Sequence, residues 1–265
     1  IISELKEIIK KYSKPRKTEI IYSTEIDDSP YEEEIPDYPV HLFFTKEGYF
    51  KKITPLSLRM SGANKLKETD EIVQTFETTN AKELLFFTNK CQVYKSRACD
   101  FDDTKTSVMG DYIPSKLGFD EGESAIFMAV LEKYTGFMVF FFENGKAAKV
   151  PLSSYETKTR RKKLIGAYSD KSPLVACYNI EEDREFLVSS SGGRILLVHS
   201  GAVPSKSARD TQGVAVMTLK KNAVVSGAKP FAEGMIENAH RFRTRNLPAA
   251  GAIPKDGDLF EQISL

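Results

Sequence analysis

The feature that most constrains the fold of this chain is a β-hairpin pattern that recurs four times. Residues 40–53 read V-H-L-F-F-T-K-E-G-Y-F-K-K-I, which is an apolar run, a turn and a return strand. Gly48 suits the turn because a residue without Cβ adopts positive φ easily. The four predicted turn positions are Gly48, Cys91, Gly145 and Gly192, spaced by 43, 54 and 47 residues. One small sheet cannot bury its apolar face alone, so this repeat predicts radially arranged β-blades.

Composition supports a large β-sheet domain. The 265 residues include 17 Phe and 11 Tyr but no Trp, and aromatic residues favour strands. We expect the phenylalanines of the apolar runs to form the core. No apolar run approaches the roughly 20 residues that span a bilayer, and no signal peptide begins the chain. Three cysteines without metal-ligand spacing indicate a reducing, cytoplasmic compartment. Because the chain begins with Ile1, we expect it to be part of a longer protein.

Charge and periodicity divide the chain into three parts. Residues 1–37 carry six basic and ten acidic residues (−4), and the remainder carries 32 basic and 27 acidic (+5). Apolar residues at helical spacing predict a helix over residues 1–12, followed by an acidic linker. The β-domain is predicted over residues 38–232, where the hairpins lie. Residues 233–265 are predicted to be an irregular tail that packs on the domain, with Phe242 and Leu247 as candidate contacts.

Several motifs recur in a fixed order around the hairpins. The first unit has F-F-T-K-E-G-Y-F-K-K at 43–52, then Pro55-Leu56-Ser57 and a basic, Gly-containing loop at 59–67. Pro-Leu-Ser returns at 151–153, and the second unit contains Gly122-Glu123-Ser124. From about residue 11 to 217, this order resembles the C-terminal domain of the A subunits of bacterial type IIA topoisomerases, DNA gyrase and topoisomerase IV. The resemblance implies an all-β fold, a β-pinwheel in which four-stranded blades form a closed ring.

The resemblance also implies a function. In that family the domain binds and bends double-stranded DNA. The whole enzyme pairs two A subunits with ATPase B subunits, uses ATP and magnesium, and cuts DNA with a tyrosine of an upstream domain. This chain has no catalytic motif, and we expect no cofactor here. The expected location is the cytoplasm, at the nucleoid, with no membrane partner. The acidic linker is predicted to be solvated; competition with DNA for the basic face is the alternative.

One loop distinguishes the two enzymes of the family. Gyrase has a Q-R-R-G-G-x-G loop in its first blade, which is implied to give DNA wrapping a fixed hand. The matching stretch here reads S-L-R-M-S-G-A-N-K at 57–65, so Arg59 and Gly62 remain while the second arginine and the paired glycines do not. This departure favours a topoisomerase IV-like protein, or a gyrase with weakened wrapping.

Basic residues that recur at matching places in the units are the candidate phosphate contacts, because DNA bending needs surface cations rather than base-specific donors. The alternative is a propeller-like scaffold for another protein, with ordinary solvated lysines. The predicted DNA-binding residues are Lys51, Lys52, Arg59, Lys65, Lys67, Lys95, Arg97, Lys149, Arg160, Arg161, Lys162, Lys163, Arg194, Lys206 and Arg209.

Overall fold

The computed structural model describes residues 2–13, 35–60, 62–157, 162–255 and 258. The chain divides into two compact units, Ile1–Ile35 and Pro36–Leu265. In the first unit the predicted helix is present as α1, Ile2–Tyr12, and none of its residues is buried. Most of the acidic linker, residues 14–34, and both Arg160 and Arg161 lie outside the described residues. Among the residues that are described, no helix is long and apolar enough to cross a membrane.

Most of the regular secondary structure of the second unit consists of short antiparallel strands. Two further helices are single turns, α2 (Pro55–Arg59) and α3 (Ile113–Leu117). Short 3-10 helices occupy Ala98–Asp100, Leu152–Tyr155, Ser200–Ala202 and Ala239–Arg241. The strands are β1 Pro39–Thr45, β2 Tyr49–Ile53, β3 Ile72–Thr79, β4 Glu83–Thr88, β5 Gln92–Arg97, β6 Asp111–Tyr112, β7 Ala125–Leu131, β8 Phe137–Phe142, β9 Lys146–Pro151, β10 Lys163–Ile165, β11 Leu174–Ile180, β12 Glu185–Ser190, β13 Ile195–His199, β14 Val214–Ala215 and β15 Val225–Pro230.

Four sheets confirm the predicted count of four blades. Their strand orders are β3-β1-β2-β6, β7-β4-β5-β10, β11-β8-β9-β14 and β15-β12-β13. The hairpin turns have positive φ at Gly48 (88°), Cys91 (55°), Gly145 (79°) and Gly193 (70°). The fourth turn position is therefore Gly193, and the prediction of Gly192 is wrong by one residue. Both glycines lie in one short turn, so the local sequence alone does not separate them.

Neighbouring blades exchange a strand, which the motif order did not predict. After the hairpin of blade 2, the chain returns to blade 1 as β6. In the same way β10 returns to blade 2 and β14 returns to blade 3. We call the edge formed by these strands the returning edge, and the opposite edge, formed by β3, β7, β11 and β15, the inner edge. The chain thus runs from each of the first three blades to the next blade and back again. Neighbouring blades are therefore joined covalently as well as by packing.

The inner edges of consecutive blades are joined by side chains. The Gln74 side chain of β3 donates to the Met128 carbonyl oxygen (2.9 Å) and accepts from its N–H (2.8 Å). The Tyr178 hydroxyl of β11 donates to the carbonyl oxygen of Ala228 (2.7 Å) on β15. These bonds satisfy backbone groups on edge strands that would otherwise be open to pairing with another chain. They also turn the inner edges toward one another, which leaves the returning edges on the outside.

The apolar core lies between successive blades rather than within any one of them. One cluster joins blades 1 and 2 through Phe44, Phe50 and Phe86, and the next joins blades 2 and 3 through Phe87 and Phe140. A third joins blades 3 and 4. Adjacent residues of one strand, such as the phenylalanines at 86 and 87, therefore serve different interfaces, as the two-residue period of a strand requires.

Blades 1 to 3 each receive a strand from the blade that follows them. In blade 4, the tail lies at the corresponding edge. Leu197 on β13 forms a parallel bridge with Arg243, as Lys52 does with Asp103 and Lys149 with Ser205 in earlier blades. A fourth cluster packs Phe231, Ile236 and Phe242 of this segment on Leu187, Ile195 and Leu197. The prediction that Phe242 packs on a blade is confirmed, and Leu247 contacts the preceding cluster. The tail therefore covers an apolar face that would otherwise be exposed.

Candidate nucleic-acid interface

Lysines recur at one position of three blades, four residues after each turn residue. Lys52 is 3% exposed; its Nζ donates to Asn80 Oδ1 (2.6 Å) and lies 3.3 Å from Asp103 Oδ1. Lys149 is 5% exposed and lies 2.6 Å from Asp183 Oδ1, with Nζ 4.3 Å from the centre of the Phe137 ring. A buried ammonium needs such partners because burial penalises its charge.

The equivalent lysine of blade 2 also has hydrogen-bond partners and a neighbouring aromatic ring. Lys95 is half-buried, and its Nζ donates to the Tyr155 carbonyl oxygen (3.3 Å) and to Thr157 Oγ1 (3.1 Å). It also lies over the Tyr134 ring at 4.8 Å. Burial lowers the pKa of Lys95. The recurrence of this lysine is explained by structure: it ties the return strand of a hairpin to the segments packed beside it.

Three of the predicted phosphate contacts are therefore not on the surface. Besides Lys52 and Lys149, Lys51 is 1% exposed and donates to the Lys65 carbonyl oxygen (2.6 Å) and to that of Thr106 (3.3 Å). Burial, and then the nearby charge of Lys65, lowers the pKa of Lys51. The expectation that these three lysines lie at the surface is wrong, because residues far away in the sequence supply acceptors that let them be buried.

Five other predicted contacts reach solvent in part but hold local structure. Arg97 lies near Asp100 (3.8 Å), Lys163 pairs with Asp120 (2.7 Å), and exposed Lys67 pairs with Glu47 (3.2 Å). The guanidinium of Arg194 donates to the carbonyl oxygen of Gly251 (2.7 Å), and that of Arg209 to the carbonyl oxygen of Ser154 (3.2 Å). A phosphate would have to compete with these partners.

Four predicted residues remain exposed without a side-chain hydrogen bond or ion pair among the described residues. They are Arg59, Lys65, Lys162 and Lys206. Lys162 and Lys206 both lie beside the return strand of an earlier blade: the Lys162 carbonyl accepts from Lys95 N–H (2.7 Å), and Lys206 N–H donates to the Lys149 carbonyl (2.9 Å). Both lie on segments that return to an earlier blade.

The returning edge also carries cations that reasoning from the sequence missed. Thr104 N–H donates to the Lys52 carbonyl (2.7 Å), as Lys206 N–H donates to the Lys149 carbonyl, so the exposed Lys105 directly follows the residue that matches Lys206. Arg245 is exposed on the tail, just after the bridge to blade 4. Knowledge of the strand exchange would have identified both Lys105 and Arg245. With it, the basic residues of the returning segments are compared between blades, rather than the basic residues of the hairpins.

Blade 1 adds a basic loop to this edge. Thr54 caps α2 by accepting from Ser57 N–H, and Pro55 suits its first turn. Arg59 ends the helix, and farther along the loop Lys65 N–H donates to the Thr106 carbonyl (2.8 Å). The loop is thereby fastened at both ends and presents Arg59 and Lys65 to solvent. This is the loop whose sequence occupies the place of the gyrase motif.

The remaining motifs serve the fold. Glu123 of the Gly-Glu-Ser motif is 5% exposed and accepts from the Tyr94 hydroxyl (2.8 Å), the Asp120 N–H (3.0 Å) and the Thr88 hydroxyl. It thus ties the start of β7 to the β4–β5 hairpin. Burial raises the pKa of the Cys91 thiol, so this turn residue is not an activated thiolate. Within the described residues, no group of three or more His, Cys, Asp or Glu side chains could hold a metal ion.

Comparisons with known proteins agree with this architecture. A family model for the DNA gyrase C-terminal domain, a β-propeller, matches residues 184–232. The A subunit of DNA gyrase from Streptomyces coelicolor is 26% identical over 238 residues, covering 83% of this chain and 27% of that protein. The A subunit of DNA topoisomerase 4 from Bacillus subtilis is 25% identical over 169 residues, covering 62% of this chain and 21% of that protein.

A solved structure shows the same fold. The crystal structure of the C-terminal domain of DNA topoisomerase IV superposes with a TM-score of 0.72 at 19% identity, covering 83% of this chain and 73% of the other. The chain spans only about a quarter of the length of the two curated relatives. The matched region thus comprises the blades and not the larger part of those proteins.

Proposed function

Because this chain belongs to the family of C-terminal β-pinwheel domains of type IIA topoisomerase A subunits, we propose that it binds double-stranded DNA along its returning edge and bends it. One observation carries the proposal. Exposed cations without a side-chain partner in the described part of the chain recur on the returning segments, at Lys105, Lys162 and Lys206, with Arg245 on the tail. A row of such cations matches the phosphates of a duplex and carries no base preference.

Bending requires several blades to act together. Curving 20–30 base pairs by 40–90° costs on the order of 1–6 kcal/mol. One exposed lysine per blade cannot offset that cost, whereas contacts on successive blades add along the curved edge. The buried Lys52 contributes indirectly, since its ammonium pairs with Asp103 on the segment from which Lys105 projects.

The loop of blade 1 supports a proposal about the type of enzyme. The loop keeps Arg59 and Gly62 but lacks the second arginine and the paired glycines of gyrase. We therefore propose that the domain belongs to a topoisomerase IV-like protein, or to a gyrase with weakened wrapping. Within the complete cytoplasmic enzyme, this domain would hold DNA beside the B subunits, which use ATP and magnesium, and beside the other copy of its own chain. The domain itself is proposed to need no cofactor.

The test is a titration of a random-sequence duplex with the folded domain at salt concentrations from about 50 to 200 mM. The proposal expects log K to fall linearly with log salt by about 0.9 for each phosphate contact, with no preference among sequences. It also expects faster ring closure of short duplexes, and the sign of the trapped supercoil reports the hand of bending. Absence of salt-dependent binding would overturn the proposal and favour a protein-binding scaffold.

A further inference from the structure

Two large apolar side chains are left in water on α2 of blade 1. Leu56 is 65% exposed and Met60 is 81% exposed. They are four residues apart, so they share one face of the helix. Blade 3 repeats the Pro-Leu-Ser sequence, yet there Leu152 is 1% exposed and lies in the core. The exposure in blade 1 is therefore a property of this loop and not of the motif.

The sequence stretch that contains the apolar pair is positively charged. Residues 54–67 contain Arg59, Lys65 and Lys67 and no acidic residue. Arg59 and Lys65 are exposed and have no side-chain hydrogen bond or ion pair among the described residues. Two exposed cations beside the apolar pair, unpaired among the described residues, favour a polyanion as the occupant over a typical protein surface, which carries charges of both signs.

The pair is also held firmly. Thr54 caps the helix, and Met60 N–H donates to the Leu56 carbonyl (3.2 Å). Beyond the helix, the buried ammonium of Lys51 donates to the Lys65 carbonyl (2.6 Å), which fixes the far end of the loop. Because the backbone of this turn is already hydrogen-bonded, it does not have to be ordered when the two side chains contact a ligand.

We infer that Leu56 and Met60 form a wedge that enters the minor groove of bound duplex DNA and partly unstacks one base step, while Arg59 and Lys65 contact the flanking phosphates. Leu and Met are among the side chains that proteins insert between base steps, and such wedges kink DNA by about 20–90°. The kink would fall at the first blade and prefer flexible pyrimidine–purine steps. This inference rests on the proposed DNA-binding function and adds a means of bending to it.

The experiment compares the domain with the double variant Leu56→Ser, Met60→Ser. The matched control is Val73→Ser, Ile126→Ser, which removes two exposed apolar side chains (47% and 40%) from the inner edge. Thermal unfolding checks that all three proteins are folded. Affinity and salt slope are measured on a random duplex. Bending is measured by ring closure, and unstacking by fluorescence of 2-aminopurine placed at TA steps.

The wedge predicts that the double variant keeps the salt slope of the parent, because no phosphate contact is lost. Its acceleration of ring closure should fall about tenfold, or about 1.4 kcal/mol, and the 2-aminopurine signal should return to that of free DNA. The control should behave like the parent. Unchanged ring closure and fluorescence in the double variant would overturn the wedge. A parent domain without salt-dependent binding would instead overturn the proposed function, and the wedge with it.

Discussion

Removal of the Asp183 carboxylate should destabilise the domain without weakening DNA binding. Asp183 accepts from Lys149 Nζ (2.6 Å) and from the Ser200 hydroxyl (2.6 Å). Partial burial raises the pKa of Asp183, but these hydrogen bonds outweigh it and hold the pKa below its ordinary value. Asp183→Ala leaves the Lys149 ammonium buried without an anion, which is the costly half of a broken buried ion pair.

The magnitude follows from burial. Losing one partner of a buried pair costs about 3–5 kcal/mol, and the Asp183 side chain is 35% exposed, so we expect the lower end, about 3 kcal/mol. For a domain of about 150–250 residues this corresponds to a fall in Tm of about 6–12 °C. Lys149→Met removes the ammonium from over the Phe137 ring but keeps an apolar side chain of similar length, and it leaves Asp183 partly in water, so its cost should be nearer to about 1 kcal/mol.

Calorimetry gives the stabilities, and anisotropy with a random duplex gives the affinities. Both variants should bind DNA within about twofold of the parent, because Lys149 is buried and the Asp183 carboxylate, being an anion, makes no phosphate contact. Lys206→Ala should do the reverse, with weaker binding and stability changed by less than about 0.5 kcal/mol. The structural role of Lys149 is disproved if Lys149→Met loses as much affinity as Lys206→Ala, or if Asp183→Ala leaves Tm unchanged.

Three further outcomes concern the tail and the inner edge. Phe242 is 1% exposed, so Phe242→Ala should cost about 3–5 kcal/mol and make the tail sensitive to limited proteolysis. Hydrogen bonds from Lys255 N–H and the Asn238 side chain lower the pKa of Asp258 to about 2. Its contribution is therefore present above about pH 4 and lost as the pH falls toward about 2, and Asp258→Asn should remove this part of the acid dependence in urea titrations. Tyr178→Phe should cost about 1 kcal/mol in calorimetry through its lost hydrogen bond to β15.

The sequence predicts the features that depend on neighbours along the chain. Turn residues such as Gly48 and Gly145, and paired phenylalanines such as Phe86 and Phe87, are local signals, and they correctly indicate hairpins and a core. The count of four blades follows from their repetition. The fourth turn contains two adjacent glycines, and either of them can adopt positive φ. Residue type alone does not decide between Gly192 and Gly193, which is why the fourth turn position was predicted one residue too early.

Burial of charge could not be predicted, because the partners are distant in sequence. Lys52 is 28 residues from Asn80, and Lys149 is 34 residues from Asp183. Each lysine looks like a surface residue until strand exchange brings those acceptors beside it. The same exchange places the exposed cations without a side-chain partner among the described residues, Lys105, Lys162 and Lys206, on the returning segments rather than on the hairpins. The burial of Lys51, Lys52 and Lys149 is therefore the part of the charge distribution that the sequence did not predict.

If DNA phosphates lie along the returning edge, the salt dependence of binding must fall when the cations of that edge are removed. The triple variant Lys105→Ala, Lys162→Ala, Lys206→Ala is compared with a control that replaces three exposed cations elsewhere, Lys133→Ala, Lys171→Ala and Arg184→Ala. Both variants carry the same net charge. The slope of log K against log salt should shrink by about 2.7 in the first variant, about 0.9 for each of three contacts, and stay unchanged in the control. Equal slopes in the two variants would mean that the DNA lies elsewhere on the domain.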